Sequence, residues 1–266
     1  MEHTLHLKAG RLSDALASLQ AEIRRQPDDS GLRLALFQLL CVLGQWSRAH
    51  AQLGVLSGMG PQHQIFAGIF EPLVTAEIFR QEVFAGQRSP LILGEPPPWI
   101  TGLVQALAMD AQGQPESAAK LRESSLGDAP AQTGMLNDTP FVWVADADPR
   151  LGPVLEAVVD RKYYWIPLIR ISGITTEPPQ DMRDLVWIAA HFTWQGGGES
   201  DGFIPVRYPA TEAAADDSAK LARVTTWQES PGGLVTGLGQ RLLATDSTDC
   251  GILEVRALKL NPASTS

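Results

Sequence analysis

Acidic side chains, with an arginine and a histidine among them, are the residues of this sequence that could do chemistry. The segment FVWVADADPRLGPVLEAV, residues 141–158, places Asp146 and Asp148 between an apolar run and a Gly-Pro pair. Two carboxylates and a histidine can support acid–base hydrolysis. The other candidates of this kind are Glu156, Asp181, Asp184 and His191. The segment is therefore either part of a hydrolase site or a corner of the fold.

The residue types around these carboxylates favour the structural alternative. Asp146 and Asp148 precede a proline, a position where aspartate caps turns and helix starts. In EPPQDMRDLVW, residues 177–187, two prolines stiffen a turn and Asp181 can cap a single helical turn. Two nearby arginines can neutralise the carboxylates through bidentate pairs. We therefore expect no enzymatic activity and predict a structural polar network of Asp146, Asp148, Arg150, Asp181, Arg183 and Asp184.

Sequence patterns that would indicate a cofactor or a metal ion are weak. The chain contains neither a G-x-S-x-G elbow nor a Walker loop, and Gly237-Leu-Gly239 lacks the third glycine of a dinucleotide fingerprint. His3 and His6 could share a helix face, but no acidic or thiol cluster accompanies them. We expect neither a cofactor nor a metal site, and we expect both cysteines to be reduced core thiols.

Composition and charge narrow the range of partners. Hydrophobic residues make up 44% of the 266 residues and charged residues 19%, which is typical of a globular protein. The net charge of −9 disfavours binding to nucleic acid or to an anionic membrane. The N-terminal stretch lacks the pattern of a signal peptide, and no apolar run is long enough to span a membrane. We therefore expect a cytoplasmic protein.

The first part of the chain reads as helices with a hidden repeat. Three glycines are each followed by an alanine after five residues and a proline after seventeen, and the first two glycines are 34 residues apart. A period of 34 residues, with glycine in the turn of a helix pair, is typical of tetratricopeptide-like repeats. A degenerate middle repeat would lie around residues 78–94. The three sets are Gly10, Ala15 and Pro27; Gly44, Ala49 and Pro61; and Gly113, Ala118 and Pro130.

The pattern changes within residues 127–140, which are rich in turn-forming residues. After them come short runs rich in Val, Ile, Trp, Tyr and Thr, separated by turn signals. The sequence predicts an α+β protein with a helical tetratricopeptide-like domain over residues 1–130. A mostly antiparallel β domain would follow over residues 131–266, with one or two short helices, one of them near residues 151–161.

A surface for a partner helix is suggested by a helix with two apolar sides. Within residues 32–43 one leucine stripe faces one way, while Leu34 and Phe37 face nearly the opposite way. The second side is either core or the wall of a groove, and the same alternatives hold for Phe66 and Phe70 in the next helix. A groove of this kind would take an amphipathic helix. Alternatively, a strand edge of the β domain would take a partner strand.

Long motifs over nearly the whole chain resemble one known family. They include FRQEVFAGQRSPLILGEPPPW (79–99), the 141–158 segment, YYWIPLIRI (163–171), EPPQDMRDLVW, IPVRYP (204–209), TTWQE (225–229) and GLGQR (237–241). Together they are similar to the ImpE/SciE family, also called TagJ, of accessory proteins of bacterial type VI secretion systems. The resemblance implies a cytoplasmic adaptor without catalytic residues. It further implies binding to the small sheath subunit (TssB-type) and an indirect link to the ClpV ATPase, which dismantles contracted sheaths.

Overall fold

Helices occupy the first half of the chain. The computed structural model of the chain describes residues 2–230 and 232–262. The helices within these residues are α1 Glu2–Lys8, α2 Leu12–Arg25, α3 Ser30–Val42, α4 Trp46–Ser57, α5 Pro61–Phe84, α6 Pro98–Ala111, α7 Pro115–Asp128 and α8 Asp217–Lys220. None of the helices in the described ranges is long and apolar enough to cross a membrane.

Three helix pairs turn at the glycines that the repeat singled out. Gly10, Gly44 and Gly113 lie between α1 and α2, α3 and α4, and α6 and α7, with φ angles of +70°, +65° and +72°. Only glycine adopts this left-handed conformation without strain. The predicted turn-forming role is therefore confirmed, whereas the likeness of the pairs to tetratricopeptide repeats stays a prediction. The degenerate repeat suggested for residues 78–94 is not a helix pair, because α5 runs through its first part as one long helix.

Strands dominate the second half. They are β1 Leu91–Ile92, β2 Gly134–Leu136, β3 Thr139–Phe141, β4 Val144–Asp146, β5 Val154–Val159, β6 Lys162–Pro167, β7 Ile171–Thr176, β8 Trp187–Trp194, β9 Glu199–Pro205, β10 Thr225–Glu229, β11 Val235–Gly239, β12 Leu242–Thr245, β13 Asp249–Gly251 and β14 Ala257–Leu260. The largest sheet has the order β1-β6-β5-β9-β8-β7-β14-β2-β3, and its pairs are antiparallel except β1 with β6. The predicted α+β order, helices first and a mostly antiparallel sheet second, is confirmed.

The helix predicted near residues 151–161 is wrong, because this region contains strand β5. Val154 to Val159 are all buried, so β5 has apolar neighbours on both faces of the sheet. A short, continuous apolar run of this kind has the same hydrophobic pattern as a buried helix segment. The turn that follows holds Asp160 and Arg161, and β6 then pairs back along β5.

One hydrophobic core joins the two halves. Side chains alternate along β5, as expected for a strand. Val154 and Val158 belong to the cluster that contains the core of α2 to α6, whereas Leu155 and Ala157 belong to the cluster on the other face of the sheet. The change from helices to strands falls between Asp128 and Gly134. The helices and one face of the sheet share a hydrophobic core. The division into two domains at residues 130 and 131 therefore remains a prediction.

Helix α5 is tied to the β5–β6 turn at its proline. Pro72 lies inside α5 and has no N–H to donate to the carbonyl of Gly68, four residues earlier. Arg161 supplies the missing donor, with its Nη1 atom 2.8 Å from that carbonyl oxygen. Arg161 and Asp160 have φ angles of +65° and +48°, in the left-handed region that strains such residues. The strained turn thus holds Arg161 where α5 lacks a hydrogen bond.

We expect the effects of Arg161→Ala and Pro72→Ala on stability to be coupled. In the native background, Arg161→Ala leaves the Gly68 carbonyl without its donor. In the Pro72→Ala background the helix supplies an N–H, so the same change should cost about 0.5–1.5 kcal/mol less. Urea unfolding of the two single variants and the double variant measures this difference. Lys162→Ala, at the exposed neighbouring position, is the control, and an equal cost of Arg161→Ala in both backgrounds would contradict the assignment.

Candidate functional site

A network of buried charged side chains joins the helical half to the sheet. We call it the buried charge network. Its members are Glu77 and Arg80 of α5, Asp146, Asp148 and Arg150 of the ADADPR segment, Glu156 of β5, and Arg207 and Arg241. These members include three of the six residues of the polar network predicted from the sequence.

The ADADPR segment forms a tight turn after β4. The carboxylate of Asp146 accepts the N–H of Asp148 at 2.9 Å, and the carboxylate of Asp148 accepts the N–H of Arg150 at 2.9 Å. Aspartate favours such turns because its side chain reaches the backbone two residues on. Only 4% of Asp146 and none of Asp148 is exposed.

Both oxygens of Asp148 are occupied. The guanidinium of Arg150 donates from Nε to Oδ1 at 2.9 Å and from Nη2 to Oδ2 at 2.6 Å. The N–H of Gly237 in β11 also donates to Oδ2, at 3.0 Å. Asp148 therefore joins its own turn to β11 and has neither the exposure nor the free oxygen that a catalytic base needs.

Asp146 pairs with Arg241. Its Oδ2 accepts from Nε and Nη2 of Arg241 at 2.9 and 2.7 Å. Burial raises the pKa of Asp146 to about 6, against the opposing effect of the Arg241 charge. The sequence offered Arg150 and Arg183 as partners of the two aspartates. Of these two arginines only Arg150 pairs with one of the aspartates, Asp148. The sequence pattern did not indicate Arg241 of the GLGQR motif as the partner of Asp146.

Glu156 is the centre of the network. Arg80 donates to its two oxygens at 2.6 and 2.9 Å, and Nη1 of Arg241 lies 3.3 Å from Oε2. The hydroxyl of Tyr163 donates to Oε1. Burial is the largest single effect and acts to raise the pKa of Glu156, but the charges of Arg80 and Arg241 and the hydrogen bonds from Arg80 and Tyr163 together outweigh it, and the pKa is lowered. Glu156 is therefore an ionised carboxylate that ties α5 to the sheet.

The network continues into the helices through Glu77 and Arg207. Glu77 accepts the indole N–H of Trp187 at 2.9 Å, and burial raises its pKa against the opposing Arg80 charge. Arg207 donates to the carbonyl oxygens of Val42 at 2.6 Å and Cys41 at 3.2 Å. These carbonyls end α3, where a cation is favourable. The network thus connects α3 and α5 with the sheet half, including β4 with Asp146 and β5 with Glu156.

The sequence contained a pattern that could have identified Glu77 and Arg80 as buried charged residues. They lie on the inner side of α5 with Leu73 and Phe70, at spacings of three and four residues. Charged residues at apolar positions of a helix indicate that a partner must neutralise them. The identity of that partner was not readable, because Glu156 lies 76 residues after Arg80 in the chain.

The other three members of the predicted polar network form a separate cluster. Asp181 caps the short 3-10 helix Met182–Leu185, and Asp184 accepts the N–H of Asp181 at 2.8 Å. Arg183 pairs with Asp181, and its guanidinium lies 5.3 and 5.0 Å from the ring centres of Phe66 and Phe70. This cluster closes over the phenylalanines instead of joining Asp146 and Asp148.

The residues predicted to bind a partner helix lie under that cluster. Phe37 is fully buried and Phe70 is 6% exposed, whereas Leu34 and Phe66 are half-buried. Phe37 contacts Phe66 edge-on at 5.5 Å, and Phe66 stacks on Phe70 at 4.5 Å. Met182 and Leu185 pack against the same core. A partner helix would contact Phe37 and Phe70 only after their cover moved.

The comparison with known proteins gives a relative along almost the whole chain. A type VI secretion system accessory component, TagJ, from Pseudomonas aeruginosa is 44% identical over 256 residues, which cover 96% of this chain and 90% of that protein.

This chain belongs to the ImpE (TagJ) family. The sequence profile of the ImpE protein family matches residues 138–259. The resemblance seen in the motifs is therefore confirmed, and the accessory role in type VI secretion is the function that this relative's name states.

The ImpE match covers the sheet side of the buried charge network. Asp146, Asp148, Glu156 and Arg241 lie inside the matched residues, and Arg80 lies outside them. A crystal structure of a Vibrio parahaemolyticus protein has the same fold, with a TM-score of 0.90, 26% identity and 98% of each chain covered. The arrangement of helices and sheet in this ImpE family protein is therefore also seen in a solved structure.

Proposed function

We propose that this protein is a non-enzymatic adaptor of a type VI secretion system. In this proposal it binds the small, TssB-type sheath subunit through a short helix of that subunit, in the cytoplasm. Through the sheath it would be linked to assembly or to disassembly by the ClpV ATPase. The relative from Pseudomonas aeruginosa is named an accessory component, which supports the broader role.

The observation that carries the proposal is an exposed apolar face on a helix whose opposite face is core. Ile65 is 68% exposed and Ile69 is 46% exposed on α5, next to Pro72. Large apolar side chains that stand together on a surface mark contacts with other proteins. An amphipathic helix is the element that covers such a face in helix-in-groove recognition.

The alternative, a hydrolase that uses Asp146, Asp148 and His191, has little support in the geometry. Both aspartates are buried, and each forms an ion pair with an arginine. His191 lies on the exposed side of β8, where its Nδ1 atom is 2.8 Å from Asp201. An assay panel with Asp148→Asn as the control addresses this alternative, and activity that the control lacks would revive it.

The test of the adaptor function is isothermal titration with overlapping synthetic peptides of the TssB-type subunit of the same organism. We expect one saturable signal, from a peptide that forms a helix. Titration with the whole subunit accompanies the panel, because a peptide can lose its helix when excised. The absence of heat from every peptide and from the whole subunit would contradict the proposal. The titration uses the whole chain and not either half alone, because the two halves share a hydrophobic core.

A further inference from the structure

The hairpin of β10 and β11 is a two-stranded sheet of its own at the surface of the sheet half. The strands pair antiparallel, with Thr225 opposite Gly239 at one end and Glu229 opposite Val235 at the other. Four of the five residues of β10 are exposed, and Trp227 at its centre is 42% exposed. Strand β10 is therefore an edge strand with an apolar side chain at its middle.

The free edge of β10 carries the backbone groups of every second residue. The N–H of Ser230 donates to the carbonyl of Leu234 at 2.8 Å, which fixes the hydrogen-bonding phase of the hairpin. Bonded and non-bonded pairs alternate along an antiparallel ladder, so the N–H and C=O groups of Thr225, Trp227 and Glu229 point away from β11. In the part of the chain that the structure describes, these groups have no backbone partner.

The neighbouring strand β11 holds this edge in place. The N–H of Gly237 points away from β10 and donates to Oδ2 of Asp148 at 3.0 Å. Trp227 stands opposite Gly237 in the ladder, and its ring centre lies 5.6 Å from that of Tyr208. Any side chain at position 237 would collide with the Tyr208 ring. The edge is thus already ordered before a partner arrives, which lowers the entropy cost of binding.

The edge of β10 lacks the protection that natural edge strands usually have. Short length, proline, lysine and bulges all prevent an edge from pairing with another chain. The edge strands β1, β3, β4 and β13 are two or three residues long, and β3 contains Pro140. Strand β10 has five residues, TTWQE, without proline, lysine or a shift in register. An edge of this kind accepts another extended strand.

The sequence of β10 is complementary to itself. In an antiparallel pair of two copies centred on Trp227, each Trp227 meets its copy, Thr225 meets Glu229, and Thr226 meets Gln228. The one charged residue of the strand, Glu229, therefore lies opposite a threonine, and no like charges meet. The outward N–H and C=O groups of the two strands are then in phase and make about six hydrogen bonds across the two-fold axis.

We propose that two copies of this protein associate through β10 and form one continuous sheet in the order β11-β10-β10-β11. Five residues from each copy bury far less than the roughly 1,600 Å² of a standard interface, so the dimer is weak and reversible. We expect a dissociation constant on the order of 100 µM. The dimer does not depend on the proposed contact with the sheath subunit.

Two exposed tryptophans provide a matched test. Analytical ultracentrifugation of the full-length protein, at concentrations up to about 1 mM, should show the average mass rising from monomer towards dimer. Trp227→Lys places two cations opposite each other and should weaken the dimer at least about tenfold. Trp143→Lys makes the same change in charge at a tryptophan that is 39% exposed and lies outside the hairpin. This control should keep the dissociation constant within about twofold of the native value.

The register is tested at Thr225. Thr225→Lys, opposite Glu229 of the other copy, should strengthen the dimer, whereas Thr225→Glu should weaken it. Thermal melting checks that each variant is folded. Trp227→Pro replaces Trp227→Lys if that variant melts early, because proline removes only an N–H that the hairpin does not use.

A constant monomer mass at every concentration would overturn the proposal. So would a native dissociation constant in a folded Trp227→Lys or Trp227→Pro variant. Equal constants for Thr225→Lys and Thr225→Glu would overturn the register centred on Trp227. Each of these results leaves the proposed adaptor function standing.

Discussion

Arg80→Met lowers the free energy of unfolding by about 3–5 kcal/mol, because it leaves Glu156 as a buried charge without its main partner. Arg80 makes two hydrogen bonds to Glu156 and a third, at 2.8 Å, to the carbonyl of Arg207. Methionine fills a similar volume but donates nothing to these oxygens. The Arg241 contact at 3.3 Å compensates only in part, since Arg241 is already paired with Asp146.

Chemical denaturation and thermal melting measure this effect, and we expect the melting temperature to fall by roughly 10 °C. Arg88→Met is the matched control. Arg88 is an exposed arginine that pairs with Glu82 at 2.8 Å, and removing it should cost less than about 1 kcal/mol.

A second variant separates the loss of the pair from the loss of packing. Adding Glu156→Gln to Arg80→Met removes the unpaired charge, so the double variant should be more stable than Arg80→Met alone. If Arg80→Met melts like the native protein, the pair does not hold α5 on the sheet.

Phe37→Asp prevents native folding or lowers stability by more than about 4 kcal/mol. Truncation of a buried phenylalanine costs about 3–5 kcal/mol, and a carboxylate at this fully buried site also loses its hydration. Phe37 is fully buried against Phe66 and Phe70. Circular dichroism during thermal melting reports the loss.

The control for Phe37→Asp is Ile65→Asp, which places the same charge on an exposed side chain and should leave the melting temperature nearly unchanged. A Phe37→Asp variant with native stability would show that the Phe37 ring is accessible. That result would support a partner groove at Leu34, Phe37, Phe66 and Phe70.

The parts of the fold that local chemistry determines were predictable from the sequence. The spacing of glycines such as Gly44, which have positive φ in the structure, predicted the turns of the helix pairs. The change in residue types predicted the strands. Strand β5 was mistaken for a helix because both of its faces are buried, which removes the alternation that identifies a strand.

The candidate site was predictable only where its contacts are local. Asp148 and Arg150 lie two residues apart, and their pairing follows from the turn. Asp146 and Arg241 are 95 residues apart, and no local pattern connects them. A long separation in the chain likewise hides the role of Phe37, whose cover near Met182 comes from the second half of the chain.

The long separation between Arg80 and Glu156 has a consequence for synthesis on the ribosome. Helix α5 is made first, and its inner side carries Glu77 and Arg80 before any strand that neutralises them exists. At about 5–20 residues per second, the 76 residues that separate Arg80 from Glu156 take roughly 4–15 seconds to make. During that interval the nascent helices expose charged and apolar side chains together, which makes them candidates for chaperone binding until the sheet closes over them.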